Sequence, residues 1–295
     1  MTQKKQLVVG MGELLFDVFP TGKKIGGAPV NFAYHVSQFG IESCAVSAVG
    51  NDTLGDEILS VLDEKDVKYI VPRVAQPTGT VQVTLSDRGI PTYEICEGVA
   101  WDNVPCGEQL VEMAKECVAF CFGTLAQRSN QTKKAIYLFL DSMAQDDSVL
   151  KIFDINLRQS FYSREIIEES LTKSNVLKIN DEEFRLVGDI LGYDTDDFEG
   201  GSRYIMEHYG LKIVILTCGE KGSYIFYNNG SSFLPTPKVE IADTVGAGDS
   251  FTAAFVASLL KGKSIDEAHH KAVDISAFVC TQSGAMPIIP EKLKL

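Results

Sequence analysis

Short apolar runs bounded by glycine alternate with stretches of helical periodicity along most of the chain, and this alternation restricts the fold more than any other feature. Leu7 to Gly12 reads as a buried strand, and Pro29 to Phe39 then places apolar residues at helical spacing. Pro29 suits a first helical position and Gly40 a C-terminal stop. Next come Ala45 to Val49 as strand, Asp52 to Lys65 as helix, Val118 to Phe122 as strand and Gln131 to Ala144 as helix. Leu150 to Ile155, Val176 to Ile179 and Ile213 to Thr217 are further strand-like runs, and Gly246 to Leu260 and Ser264 to Cys280 read as two consecutive helices. Apolar strands separated by helices predict an α/β chain with a mainly parallel sheet covered on both faces.

Two stretches break the rhythm. Phe16 to Ile25 and Thr78 to Ile95 alternate polar with apolar residues, and Asp87-Arg-Gly supplies turn chemistry. They predict a small β lid on the α/β body. No repeat with a period of about 20 to 50 residues occurs, and no linker rich in Pro, Gly and Ser. The expectation is one domain over 1–295, with lid segments at about 13–25 and 78–103.

Composition narrows the function classes. Lys and Arg number 27 against 40 Asp and Glu, and the net charge of −13 repels polyanions, so nucleic acid is excluded as a partner. No run reaches the ~18 to 20 apolar residues that cross a bilayer, and the N-terminus leads into a strand instead of a signal peptide. The chain reads as cytoplasmic, with no membrane partner. Seven cysteines without a Cys-x-x-Cys pair read as reduced, mostly core residues, and the four histidines lack metal-ligand spacing.

The chemistry concentrates in Asp243-Thr-Val-Gly-Ala-Gly-Asp249-Ser-Phe, a glycine-rich turn that opens a long helix. Glycines admit close backbone approach, and helix N-terminal amides with the macrodipole bind anions, most often phosphate. Asp249 has two readings, a capping residue or a base that takes the proton of an attacking hydroxyl. A cap needs neither the preceding Gly-x-Gly nor a second acid at Asp243. Two commoner nucleotide motifs fail. Gly262-Lys263-Ser264 has Ala257 at the required earlier glycine, and Gly10-Met-Gly12 has Leu15 at the third small position of a dinucleotide fingerprint.

Other polar motifs lie at turns. Gly26-Gly-Ala-Pro-Val-Asn31 sets Asn31 in the first turn of a helix, as a cap or as a ligand for a polyol hydroxyl. Asp17 interrupts an apolar strand, either ending it or gripping two hydroxyls. Asp154-Ile-Asn-Leu-Arg158 emerges at the carboxyl end of a strand, where open α/β sheets bind ligands. Asn180-Asp-Glu-Glu183 reads equally as helix capping and as metal-water binding. Thr217-Cys-Gly219-Glu-Lys-Gly222 is a tight turn or a nucleotide-phosphate contact.

Taken together, these motifs, in this order and spacing, resemble the ribokinase-like PfkB family of carbohydrate kinases, and Gly-Glu-Leu-Leu-x-Asp with Asp-x-Asn-Leu-Arg is most similar to its fructokinase branch. The resemblance implies a three-layer α/β/α ribokinase-like fold with a small β-sheet lid. It implies ATP and Mg²⁺, and a sugar hydroxyl as nucleophile, fructose first. Carried over by motif, Asp249 is the catalytic base, and Gly246, Ala247 and Gly248 form the anion hole. Asp17, Gly27 and Asn31 hold the sugar, Arg158 lies near the transferred phosphate or the sugar tail, and Asn180 and Glu183 order magnesium and its waters. Thr217, Gly219, Gly222 and Gly248 lie along the ATP.

A K⁺ site is common in the family near Asp243, Val245 and Gly284, but Ile288 brings no side-chain oxygen to it, and potassium dependence stays open. Tyr93 and Trp101 sit in or beside the lid, either against a sugar face or in lid core. Edge strands of the lid predict a homodimer formed through it. The alternatives are a 2-keto-3-deoxygluconate or other sugar kinase, and a non-catalytic sugar or nucleotide sensor; an oxidoreductase rests only on the incomplete glycine pattern.

Overall fold

A computed structural model describes residues 6–85, 91–146 and 148–295. The turn expected at Asp87-Arg-Gly lies outside them. The first part of the chain contains β1 (Leu7–Met11), β2 (Leu15–Phe19), β3 (Gly22–Gly26), α1 (Ala28–Ser37), β4 (Glu42–Val46), β5 (Val49–Gly50), α2 (Thr53–Glu64), β6 (Tyr69–Ile70), β7 (Arg73–Val74), β8 (Gly79–Leu85) and β9 (Pro91–Ile95). The middle contains α3 (Glu108–Glu116), β10 (Cys117–Phe122), α4 (Asn130–Ser142), β11 (Leu150–Asp154), α5 (Arg164–Lys173), β12 (Val176–Asn180), α6 (Asp181–Leu191) and α7 (Phe198–Tyr209). The last part contains β13 (Ile213–Thr217), β14 (Ser223–Tyr227), β15 (Gly230–Leu234), α8 (Ala247–Leu260) and α9 (Ile265–Cys280).

The large sheet runs β15-β14-β13-β12-β11-β10-β1-β4-β6. It is parallel from β6 to β13, and β14 and β15 extend it antiparallel. Residues on one strand alternate between two cores: Ala119 and Cys121 face Phe32, Phe251 and Phe255 from α1 and α8, and Phe120 and Phe122 face Phe139 and Phe184 from α4 and α6. Burial on both faces explains why these strands read as unbroken apolar runs. Helix α8 is buried continuously from Ser250 to Ser258, and its alanines let it lie inside the layer of α1 and α9.

Around β1 the strand order reverses, with β10 on one side and β4 on the other, so the carboxyl ends of β1 and β10 frame a crevice suited to a ligand. Above it lies a second sheet, β3-β2-β8-β9. The alternating pattern of its strands matches a sheet with one covered face. The following turn, Ala100–Asn103, packs on α4 of the body.

Most boundaries shift by a residue or two from the sequence reading, and two shifts have a plain cause. The strand expected over 45–49 is Glu42–Val46, because pairing with β1 begins at Leu7 opposite Glu42. Helix α2 starts at Thr53, with Asp52 outside it as the cap accepting from the Gly55 amide at 2.8 Å.

Two histidines are wholly buried. His35 of α1 lies with Nε2 2.8 Å from the Ala285 carbonyl. His269 of α9 bridges Ser223 and Ser232 at 2.8 and 2.9 Å. Burial pushes each pKa down to about 4 from an ordinary 6.5. The unfolded chain therefore takes up protons that the fold refuses. The contribution is complete above about pH 6.5 and is lost as the pH falls toward 4, at about 3 kcal/mol for His35. Denaturant unfolding at pH 7 and 4.5 checks this: wild type is expected to lose about that much more stability than His35→Gln, and equal losses in the two proteins count against it.

Candidate active site

The site is assembled at the carboxyl edge of the large sheet, where the chain leaves β1, β11, β12 and β13. Helix α8 opens on Gly246 in the left-handed region, φ 80°, and no side chain caps its first turn. A side chain at Gly246 is barred sterically as well, since a Cβ there would lie 2.7 Å from the Ala285 carbonyl oxygen. The amide of Ala247 closes a turn onto the Thr244 carbonyl at 3.2 Å, which leaves the rest of the expected anion hole to Gly246 and Gly248. An uncapped N-terminus of a buried helix attracts negative charge.

Asp249 stands in that first turn. One of its carboxylate oxygens accepts from Asn31 Nδ2 at 2.8 Å. Removal from water pushes its carboxyl up to about 7; Asp154 and Glu13 push the same way, and Asn31 and Lys178 oppose them. A carboxyl poised near neutral pH, on the uncapped N-terminus of a helix, can take a proton from a bound hydroxyl.

The backbone ahead of Asn31 depends on Gly27. Its φ is 130°, and a Cβ there would meet the Glu13 carbonyl oxygen at 2.2 Å. Glu13 is buried, with Oε1 accepting from the Ala28 amide at 3.3 Å and Oε2 without a partner among the described residues, and burial raises its carboxyl. Asp17 of β2 pairs in register with Lys24 of β3. Burial raises its carboxyl too, against the pull of Arg158 and Lys24. Asp17, Gly27, Asn31, Asp249 and the Gly246 to Gly248 turn thus belong to one site, with Arg158 exposed at its margin.

Asn180 and Glu183 form a reciprocal cap: Asn180 Oδ1 accepts from the Glu183 amide at 2.8 Å, and Glu183 Oε2 accepts from the Asn180 amide at 3.0 Å. Glu183 Oε1 also accepts from the Leu157 amide at 2.9 Å, which fastens the loop that carries Arg158. No cluster of three or more His, Cys, Asp or Glu fit to hold a metal occurs among the described residues. Both Glu183 oxygens and Asn180 Oδ1 already accept backbone amides, so a Mg²⁺ here would be held through its waters and the substrate phosphates and not in an all-protein cage.

Asp243, Val245 and Gly284 do meet: the Asp243 carboxylate accepts from the amides of Val245 at 3.1 Å and Gly284 at 3.2 Å. Lys24 of the small sheet adds its ammonium at 3.0 Å. Despite partial burial, these bonds hold the Asp243 carboxyl below its ordinary value. Thr217, at the end of β13, lies in register with Asn180, and Gly219 and Gly222 follow in the turn to β14.

Two aromatic candidates separate. Tyr93 of β9 is 52% exposed, and its carbonyl accepts from Gln159 Nε2 at 2.7 Å, linking the small sheet to the Arg158 loop. The sugar-face reading of Trp101 is corrected, because the ring is fully buried. Arg128 lies over it at 4.0 Å, and a Cβ on Gly79 would touch its indole nitrogen at 2.3 Å. A large flat ring at the seam of two sheets gains more from core burial than from a rim position.

Sequence reasoning set Asp154 in a ligand-binding motif but missed Lys178 and the pair the two form behind the site. Lys178 is buried and bonds Asp154 at 3.0 Å, while Thr252 Oγ1 lies 3.4 Å from the other Asp154 oxygen. A Cβ on Gly248 would lie 3.0 Å from Lys178 Nζ, so this ammonium sits directly beneath the first turn of α8. Burial alone lowers a lysine pKa, but Asp154, Glu183 and Asp249 outweigh it and raise this one to about 12. The clue was a lysine in Val-Leu-Lys-Ile and an aspartate after Lys-Ile-Phe, charges set in runs that otherwise read as core.

The chain matches, over residues 5–292, the family described as pfkB family carbohydrate kinase. It is 28% identical to the ATP-dependent 6-phosphofructokinase of Thermoanaerobacterium thermosaccharolyticum, over 98% of this chain and 92% of that one. It is 25% identical to fructokinase-1 of Oryza sativa, over 100% and 98% of the two chains. The fold superposes on a fructokinase with bound ATP from Xylella fastidiosa with a TM-score of 0.84 at 18% identity, covering 98% of this chain and 96% of that one. A match that takes in both sheets and every motif of the carboxyl edge assigns the chain to the pfkB family of carbohydrate kinases, as an ATP-dependent sugar kinase.

Proposed function

We propose that the protein transfers the γ-phosphoryl group of ATP to the primary hydroxyl of fructose, giving fructose 6-phosphate and ADP. The observation that carries this reading is Asp249: a carboxyl with its pKa raised to about 7, bonded to Asn31 and seated on the uncapped N-terminus of α8. Asp249 takes the hydroxyl proton as the sugar oxygen bonds to phosphorus, and the bond from phosphorus to the β,γ-bridging oxygen breaks. The amides of Gly246 and Gly248, with Lys178 beneath them, hold the charge on the transferred group. Asp17, Gly27 and Asn31 orient the sugar. Mg²⁺, when bound, would neutralise the phosphates, and Asn180 and Glu183 would hold it through its waters. Thr217, Gly219 and Gly222 line the nucleotide.

The small sheet acts as a lid that excludes water, a competing phosphoryl acceptor. The outer edges of its end strands, β3 and β9, have no partner among the described residues, which supports a dimer through this sheet. Sedimentation that finds only monomer at micromolar concentration removes the dimer. No helix among the described residues is long and apolar enough to cross a membrane; a cytoplasmic location is part of the same proposal.

A second reading is favoured by Arg158 and Lys24, which both pull on Asp17: the substrate is an anionic sugar such as 2-keto-3-deoxygluconate or a sugar phosphate. ADP release with Mg-ATP against fructose, ribose, glucose, 2-keto-3-deoxygluconate and fructose 6-phosphate, with and without K⁺, separates the two. Turnover concentrated on fructose is expected. Turnover on an acid sugar or sugar phosphate transfers the assignment to the second reading, and silence on all five with ATP still bound leaves a sensor.

A further inference from the structure

Helix α1 serves the site twice. Its first turn carries Asn31, bonded to Asp249, and its last turns grip the segment that follows Gly284. Most of that grip falls on residues 287–289, where Tyr34 and Gln38 donate to the Pro287 carbonyl at 3.2 and 3.1 Å and Gln38 accepts from the Ile289 amide at 2.8 Å; Lys65, capping the end of α2, adds a bond to the Met286 carbonyl at 3.0 Å. Ala285 is held differently, by buried His35, whose Nε2 lies 2.8 Å from its carbonyl oxygen.

A carbonyl only accepts, so Nε2 carries the hydrogen and the neutral ring leaves Nδ1 as a bare acceptor. That Nδ1 is buried and has no partner among the described residues. An orphaned acceptor is a cost that leucine at this position would avoid, so the imidazole is explained by the bond that its other nitrogen makes. Ala285 in turn abuts the active turn: a Cβ on Gly246 would lie 2.7 Å from its carbonyl oxygen and 2.8 Å from its Cα.

We propose that His35 is a positioning residue for phosphoryl transfer: its Nε2–H fixes the Ala285 carbonyl, and the carbonyl fixes the left-handed turn at Gly246 that aims the first amides of α8 and Asp249. The inference rests on the reading of that helix N-terminus as the holder of the transferred group. With the anchors at 286–289 in place, loss of His35 leaves the segment docked but frees the peptide that faces Gly246.

The test compares His35→Leu, His35→Gln and Tyr34→Phe in steady-state kinetics with the best sugar of the panel, beside Asp249→Asn and thermal unfolding of each. His35→Leu is expected to lower kcat about 10- to 30-fold, as a displacement under 1 Å at a reacting centre does, with the sugar KM within about twofold. His35→Gln, whose amide nitrogen reaches the same carbonyl, is expected to keep at least about a third of the rate. Tyr34→Phe loosens the same segment at Pro287 and is expected to turn over as wild type.

Wild-type kcat in His35→Leu overturns the inference, and so does an equal fall in His35→Leu and Tyr34→Phe that tracks their unfolding temperatures. If His35→Leu does not fold, His35→Asn, whose shorter amide stops short of Ala285, takes its place: a rate equal to that of His35→Gln overturns the proposal, and a tenfold gap upholds it. Asp249→Asn reports on the underlying reading. Turnover retained there removes reading and inference together, whereas turnover lost there and kept in His35→Leu removes the inference alone.

Discussion

Asp249→Asn is expected to lower kcat by roughly 10³-fold, within the range of a positioned base, with ATP and sugar binding kept within a few-fold. Asparagine preserves the shape and can still bond Asn31 through its amide, so the loss isolates proton transfer. In wild type, kcat/KM is expected to rise with pH through about 7, as Asp249 loses its proton, and then to level. The stability consequence has the opposite sign. The folded pKa lies above the ordinary 3.8, so the contribution of Asp249 is present in full at low pH and is lost as the pH rises through about 7. At pH 8 the asparagine variant is therefore expected to melt no lower than wild type while being nearly inactive. A variant that retains most of the rate removes Asp249 from the role of base.

Lys178→Met is expected to cost about 3 to 5 kcal/mol, the penalty for stranding the partner of a buried ion pair. The partner is Asp154, buried at 3.0 Å from the ammonium, with Asp249 and Glu183 also drawing on the same charge. Without the ammonium, the proton of Asp249 is harder to remove, so the rising limb of kcat/KM is expected to move to higher pH. Asp154→Asn in the same chain should recover part of the stability, because it removes the stranded charge. Denaturant unfolding of the two single variants and the double variant at pH 8 gives the coupling. A Lys178→Met protein as stable as wild type, or a limb that moves to lower pH, contradicts this account of the buried cluster.

The paired charges show why part of the site was legible and part was not. Asp249, Asn31 and Gly27 stand in short motifs whose glycines declare the backbone they need. The Gly246 turn, at φ 80°, closes against Ala285 with no room for a side chain. Lys178 and Asp154 are separated by 24 positions and became neighbours because β11 and β12 pair with these two residues opposite each other. Lys24 and Asp243 are 219 positions apart, and nothing local in either segment points to the other. Trp101 illustrates the reverse difficulty. Its size suits a sugar face and a core seam equally, and only the approach of Gly79 and Arg128 decides between them.

By itself the sequence determined the layered α/β plan, since strands buried on both faces must be apolar throughout, and it marked the glycine turn at which α8 begins. Strand β4 shows where that ends: its extent follows from pairing with β1, a partner more than thirty positions away. Tertiary structure alone decided which charges share the low-dielectric floor of the site, and hence the protonation of Asp249 and Lys178. It also decided that α1 would hold both Asn31 against the acid and His35 against the segment behind the helix. The physical reason is common to these cases. Backbone preference and hydrophobic period are local and are written in adjacent residues, whereas desolvation and Coulomb energy depend on distances that exist only once the sheet has closed.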